Sequence, residues 1–353
     1  MQGPLSYEPM SLETTTPDAR RLALLAWLQR QDGSLGLHTD TLRPASSDAS
    51  FRRYFRLDAA GPGTLIAMDA PPPKEDCRPF VKVAHLFAAA GVTTPAVIAA
   101  DLELGLLLLG DLGQTTYLQA LEAGADAEPL YRDALAALVR IQAATRPGQL
   151  PPYDRERLLT ELRLFPDWYV ARHLRAELDE GERSALERVF EILIGNALSQ
   201  APVFVHRDYH SRNLMLLESG NPGVLDFQDA VVGPAVYDLV SLLRDAYVDW
   251  PEERQIDWAV RYWEMARAAG IPVAGDFGDL WRDLEWVGLQ RSLKVLGIFA
   301  RLYHRDGKHR YLVDLPRVMR QARHVVHRYQ CFDPLRRLLD RLEQRPVRVG
   351  YTF

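Results

Sequence analysis

A chain of 353 residues is larger than one hydrophobic core usually supports, which implies two lobes. Apolar residues at 47% and charged ones at 25% match an ordinary globular composition and exclude a disordered, collagen-like or coiled-coil chain. A net charge of -5 gives no general attraction to nucleic acid or to an anionic membrane, so any phosphate must be handled by a local site. Lysine occurs only at Lys74, Lys82, Lys294 and Lys308, and the remaining positive charge is arginine. Cys77 and Cys331 are too few for a disulfide framework. No basic region precedes an apolar stretch at the start, and no apolar run is long enough to span a membrane. The expectation is a cytoplasmic monomer that acts on a small molecule.

Leu22, Leu25 and Leu28 recur at helical spacing between Pro17 and Arg30, with Thr16 as the expected cap. Alternation and turn residues then predict three antiparallel strands, at 39–44, 51–57 and 64–69, the last stopped by Pro71-Pro72-Pro73. A helix is expected from Arg78 to Ala90, ended by Gly91, and a hairpin follows at 97–101 and 105–110. Gly110-Asp111-Leu112-Gly113 breaks the pattern, which places a lobe boundary at residue 113 and divides the chain into 1–113 and 114–353. Helices dominate beyond it. The fold class read from this order is α+β, with a five-stranded antiparallel sheet in the small lobe and a mainly helical large lobe.

The residues that carry chemistry lie in two short segments of the second part. Val203-Phe204-Val205 runs into His206-Arg207-Asp208-Tyr209-His210-Ser211-Arg212-Asn213, and Val224-Leu225-Asp226-Phe227 reads as a second apolar strand ending in an acid. Phosphoryl transfer from a nucleotide needs a carboxylate to orient and deprotonate the attacking hydroxyl, and oxygen ligands for the Mg²⁺ that bridges the phosphates. Asp208, Asn213 and Asp226 supply that set at the spacing of a kinase catalytic loop. A different chemistry remains open, since His206, Asp208 and His210 are also residue types that ligate zinc.

With Leu225-Asp226-Phe227-Gln228-Asp229 and Tyr237-Asp238-Leu239, the loop resembles the aminoglycoside phosphotransferase and choline kinase superfamily, whose fold is that of a two-lobed protein kinase. Ser50 to Arg56, Met68 to Pro72 and Gln290 to Phe299 further resemble the bacterial kinases of peptidoglycan recycling that phosphorylate the anomeric hydroxyl of N-acetylmuramate and N-acetylglucosamine. The resemblance implies ATP and Mg²⁺ as cofactors and a nucleotide in the cleft between lobes. It makes Asp208 the catalytic base and Asn213 and Asp226 the metal ligands. It gives adenine to the backbone around Leu109, Asp111 and Leu112. His206 is expected to brace the loop, Asp238 to cap a helix beginning at Leu239, and Asp229 to support the metal from behind.

Departures from the kinase pattern sharpen other expectations. The phosphate loop is serine-bearing rather than glycine-rich, so Ser47 and Ser50 take the place of bare backbone. Met68 stands where the strand lysine belongs, which leaves Lys82, paired across to Asp69, or Arg53 as the phosphate-binding cation. Gln290 and Lys294 share a helix face that Arg291 flanks, and a carboxylate-bearing sugar needs such a cation. Arg244 and Tyr247 are further candidates for the sugar pocket. The acids at Asp245 and Asp249 keep a polycationic aminoglycoside or a choline-like acceptor open, and the missing lysine keeps open a non-catalytic nucleotide-binding protein.

Overall fold

The computed structural model describes residues 18–344 apart from Asp32, Ser34, 47–50 and 61–62. The expected cap Thr16 and the loop serines Ser47 and Ser50 lie outside the described residues. The chain divides into two compact units: residues up to Arg78 together with Ala96–Asp111, and Pro79–Pro95 together with Leu112 onward.

In the first unit, α1 (Ala19–Gln31) starts at Asp18, whose carboxylate accepts from the amides of Arg20 and Arg21 at 3.1 Å. That side chain satisfies two of the amides a helix start leaves without partners. The strands β1 (His38–Ser46), β2 (Arg53–Asp58), β3 (Thr64–Asp69), β4 (Val97–Asp101) and β5 (Leu106–Gly110) form one antiparallel sheet in the order β1-β2-β3-β5-β4. Leu24, Trp27 and Leu28 of α1 pack on Phe55, Leu57, Ala67, Leu106 and Leu108, which forms the core of this unit. Met68, paired with Tyr54 and Leu107, is fully buried, so the position of the kinase lysine is an apolar core position here.

The second unit takes in α2 (Arg78–Ala89), so the division does not follow a single cut near residue 113. The reason is an apolar stripe. Phe80, Val83, Ala84 and Phe87 are buried on one face of α2, and Phe80 and Phe87 pack on Phe227 with ring centroids 4.8 and 5.9 Å apart. Each buried phenylalanine contributes roughly 1.5–3 kcal/mol, enough to hold the helix to this unit. Gly91, at φ 75°, ends α2 in a conformation that a side chain disfavours.

Helices α3 (Tyr117–Glu122), α4 (Ala127–Ala143), α5 (Arg155–Leu164) and α6 (Glu180–Ser199) follow, with a π-helical stretch at Phe165–His173. Two small antiparallel pairs come next, β6 (Pro202–Val205) with β9 (Val231–Pro234) and β7 (Leu214–Met215) with β8 (Gly223–Val224). The expected strand from Val224 to Phe227 is therefore only the end of β8. Leu225 still donates its amide to the Asn213 carbonyl at 2.9 Å, but Asp226 then adopts φ 60°, a conformation incompatible with continued pairing. Then come α7 (Tyr237–Leu243), α8 (Glu252–Ala268), α9 (Phe277–Asp306), α10 (Leu315–Arg328) and α11 (Asp333–Leu342).

The 30-residue α9 is the axis of this unit, buried without interruption from Val287 to Gly297. A Cβ on Gly297 would stand 2.3 Å from the Leu164 carbonyl carbon, so only glycine lets the two segments approach. Polar residues inside such a stretch need partners or a function. Trp258 stacks on Tyr131 at 4.1 Å, and Trp250 and Trp263 donate their indole N–H groups to Tyr131 and Ala274, so these rings pack helices together. No helix among the described residues is long and apolar enough to cross a membrane.

Candidate active site

The loop after β6 is fixed from three sides. His206 and Arg207 donate their backbone N–H groups to the two carboxylate oxygens of Asp238, at 2.6 and 2.9 Å. Asp238 sits in the first turn of α7, which begins at Tyr237, so its carboxylate holds the loop instead of capping its own helix as expected. Burial pushes its pKa up to about 6 against the pull of His206 and these two amides. The His206 ring bridges the loop to the segment after β8. Its Nε2 lies 2.8 Å from the Leu225 carbonyl, and Nδ1 lies 3.2 Å from the Asp208 amide and accepts from it. Those bonds place the ring proton on Nε2. Below the loop, buried Asp245 accepts from the Ser211 amide at 3.0 Å and from its hydroxyl.

This bracing forces Arg207 to φ 79°, and Asp226 is likewise left-handed. Non-glycine residues held there cost on the order of 1–3 kcal/mol each and persist where neighbours over-determine them. The outcome is convergence. Asn213 donates from Nδ2 to the Asp208 carbonyl at 2.9 Å and to Asp226 Oδ2 at 3.4 Å, while Gln228 donates to Asp226 Oδ1 at 2.7 Å. Asp208, Asn213 and Asp226 are thus brought together. Asp229, expected behind the metal, is exposed and offers its carbonyl to Arg207, and Gln228 supports Asp226 instead.

The charge around Asp208 was only partly visible in the sequence. Burial alone would raise its carboxyl, but Lys294, His210, Arg291 and Arg207 outweigh it and hold the pKa at about 2. Glu161 on α5, which the sequence reading missed, is the hub behind two of these groups, Lys294 and Arg207. It pairs with Lys294 Nζ at 3.1 Å, with Arg207, and accepts from the Tyr153 hydroxyl. Lys294 also donates to the Tyr237 hydroxyl at 3.1 Å. The trace of Glu161 in the sequence is an acid on the apolar stripe Leu158, Glu161, Leu162, Phe165. An acid at a core position of a helix is an expensive choice without a partner.

The other expected residues fall into separate places. Gln290 and Arg291 are buried on α9 beside Lys294. Tyr247 lies near the loop, its ring 5.4 Å from that of His210 and covered by Arg212 at 3.6 Å. Arg244, expected to line the sugar pocket, is a correction. Its buried guanidinium pairs with Glu285 at 3.0 Å and with Gln255 at 3.2 Å, in a cluster that Arg328 and Tyr329 complete. Asp245 is engaged with Ser211, and Asp249 pairs with Arg320, so the loop presents no free acidic face for a polycation.

In the first unit Asp69 is not paired with Lys82. Its buried carboxylate is gripped by Arg53 at 2.5 Å and by Arg20 at 3.0 Å, and Arg53 reaches on to Asp18. Two arginines against two acids leave Arg53 little charge to offer a triphosphate. Lys82 is exposed on α2. Leu109 is buried in β5, opposite Ile66 and Val97. The Asp111 carboxylate, where the chain passes to the second unit, accepts from Arg56 at 3.0 Å and from the Thr64 hydroxyl at 2.6 Å. Leu112 lies over Gly223, where a Cβ would meet it at 2.9 Å.

A five-stranded antiparallel unit joined to a helical unit with a kinase-type Asp, Asn and Asp set defines a phosphotransferase of protein-kinase-like fold. Residues 41–281 match the phosphotransferase enzyme family, and the chain belongs to that family as a phosphotransferase with an alcohol group as acceptor. It is 54% identical over 303 residues to the N-acetylmuramate/N-acetylglucosamine kinase of Pseudomonas aeruginosa, covering 86% of this chain and 89% of that one. The kinase of the same name from Neisseria meningitidis is 48% identical over 88% of this chain and 93% of its own. Among solved structures, a GDP complex of an aminoglycoside 2′-phosphotransferase superposes with a TM-score of 0.59 at 13% identity, covering 84% of this chain and 98% of that one. That likeness is one of fold.

Proposed function

We propose that the protein transfers the γ-phosphate of ATP to the anomeric hydroxyl of N-acetylmuramate and N-acetylglucosamine, in recycling of cell-wall sugars. The observation that carries this reading is the convergence of Asp208, Asn213 and Asp226 on one braced loop, in a chain about half identical to kinases of those two sugars.

Asp208 orients the acceptor hydroxyl and takes its proton. The neighbouring Lys294, Arg291 and Arg207 hold this carboxylate ionised against burial, so it is ready to accept that proton. Asn213 and Asp226 offer hard oxygen donors side by side, a donor set that fits Mg²⁺, whose charge offsets that of the phosphates when bound. Asn213 is oriented for that task through its Nδ2 bonds to the Asp208 carbonyl and to Asp226. Residues 109–113 keep the adenine assignment. Lys82 supplies the phosphate-binding charge, because Arg53 is engaged by two carboxylates and Met68 is buried.

The test is nucleotide turnover against N-acetylmuramate, N-acetylglucosamine, kanamycin and choline, with the position of the new phosphate read by phosphorus NMR. Both sugars are expected to be phosphorylated at carbon 1, and the methyl glycoside of N-acetylglucosamine to be inert. Turnover of that glycoside would move the attack to another hydroxyl, and turnover of kanamycin alone would replace the reading with an aminoglycoside kinase.

A further inference from the structure

Hydrogen-bond accounting along α9 separates three adjacent polar residues that the sequence could only group. Lys294 is satisfied by Glu161 and Tyr237. Gln290 is 1% exposed, and neither its amide oxygen nor its amide nitrogen has a partner. Arg291 is 5% exposed, and among the described residues it makes no hydrogen bond and no ion pair. A guanidinium carries five N–H donors in a rigid fork, and those of Arg291 keep some solvent contact, so they are open to a ligand.

The neighbourhood is that of the Asp208 loop. Arg244 packs on Gly288 at the start of this stretch, and Tyr247 lies 6.2 Å from Phe299 at its end. Asp245, between them, holds Ser211 next to His210. Residues 288–299 of α9 therefore run beneath the segment that carries the Asp208 loop, with Arg291 inside that span. His210 Nδ1 is buried there without a partner as well.

Resting on the sugar-kinase reading above, we infer that Arg291 is the residue that distinguishes N-acetylmuramate, receiving the carboxylate of its lactyl ether, while Gln290 beside it takes the acetamido group common to both sugars. A planar carboxylate matches the guanidinium fork with two parallel hydrogen bonds. A primary amide offers one donor and one acceptor edge, the complement of an acetamide. Lys294, a point charge already neutralised by Glu161, is not the carboxylate receptor. A phosphate would also match the fork, but it has no use for the orphan amide of Gln290, and Asn213 and Asp226 already serve the phosphate end.

The experiment compares kcat/KM of the unaltered protein and of Arg291→Gln on N-acetylmuramate, its methyl ester and N-acetylglucosamine. The substitution should lower the N-acetylmuramate to N-acetylglucosamine ratio by about 10- to 100-fold, mostly through KM, the loss expected for a charge-assisted pair. The unaltered protein should prefer the free acid to the methyl ester by a similar factor, and the variant should not discriminate between them. Equal losses on both sugars, or an unmoved ratio, would overturn the inference and make Arg291 a phosphate or loop residue. Should the glutamine variant fail to fold, the methyl ester on the unaltered protein reads the same contact. If the unaltered protein phosphorylates neither sugar, it is the functional reading that fails.

Discussion

Asp69 and Asp208 are two carboxylates drawn into arginine clusters, one in each unit, and their surroundings differ in one respect. Around Asp69 every charge is matched: Arg20 and Arg53 close on it, and Asp18 completes the set. Around Asp208 the cations are more numerous and unequally partnered, Lys294 and Arg207 sharing Glu161 while Arg291 has no partner among the described residues. A saturated cluster has nothing to gain from a ligand and acts as a fastener. An unsaturated one, held in place by a braced loop, gains its missing hydrogen bonds when substrate arrives. Satisfaction of polar groups thus separates the two more sharply than residue type does.

The comparison breaks most directly at Asp208. Asp208→Asn keeps the shape and removes the proton acceptor, so kcat should fall by about 10²- to 10⁴-fold with nucleotide KM little changed. Near-normal turnover in steady-state assays would remove the distinction between the two clusters. Next in size is the pH response of Asp238, whose pKa of about 6 lies above the ordinary carboxyl value of 3.8. Because the folded state binds this proton more tightly, stability should rise as pH falls from about 6 to 4, by up to about 3 kcal/mol. Activity should move the other way, since protonation weakens one of the amide bonds that hold the loop. Melting curves of the unaltered protein and Asp238→Asn across pH 4–7 check this, and parallel curves would show that the carboxyl does not titrate there.

Asp69→Asn should cost about 1–3 kcal/mol, because the arginines it would strand are partly solvated. Tm should drop, with kcat retained well below the melting temperature. A loss of nucleotide affinity without a change in Tm would make the Asp69 cluster a ligand site after all. The smallest effect expected is for Lys82→Ala, a several-fold rise in nucleotide KM worth about 1 kcal/mol, with Lys74→Ala silent. If Arg53→Ala raises that KM and Lys82→Ala does not, the phosphate charge comes from the first unit.

Local pattern was enough to read the sheet. The strands expected at 64–69 and 97–101 end where the structure ends them, because prolines, glycines and alternation act over a few residues. The kinase-type loop was equally legible, its residues being concentrated in eight consecutive positions and one acid just past β8. Asp238 was read as a helix cap, since a sequence shows the helix start but not the loop amides 31 and 32 residues earlier that take its oxygens. Arg244 was placed in the sugar pocket because its partner Glu285 lies 41 residues away on another helix.

The sequence by itself determined the fold class, the phosphotransferase family and the three residues that the structure brings together around one loop, because each rests on short-range periodicity or on local spacing. Only the tertiary structure decided how the cations are shared. Lys294, Arg207 and Arg291 look alike as letters, and what separates them is Glu161, brought from α5 to the first two and not to the third. Partnering of buried charge is a property of packed neighbours distant in the chain, and a low-dielectric interior makes it decisive.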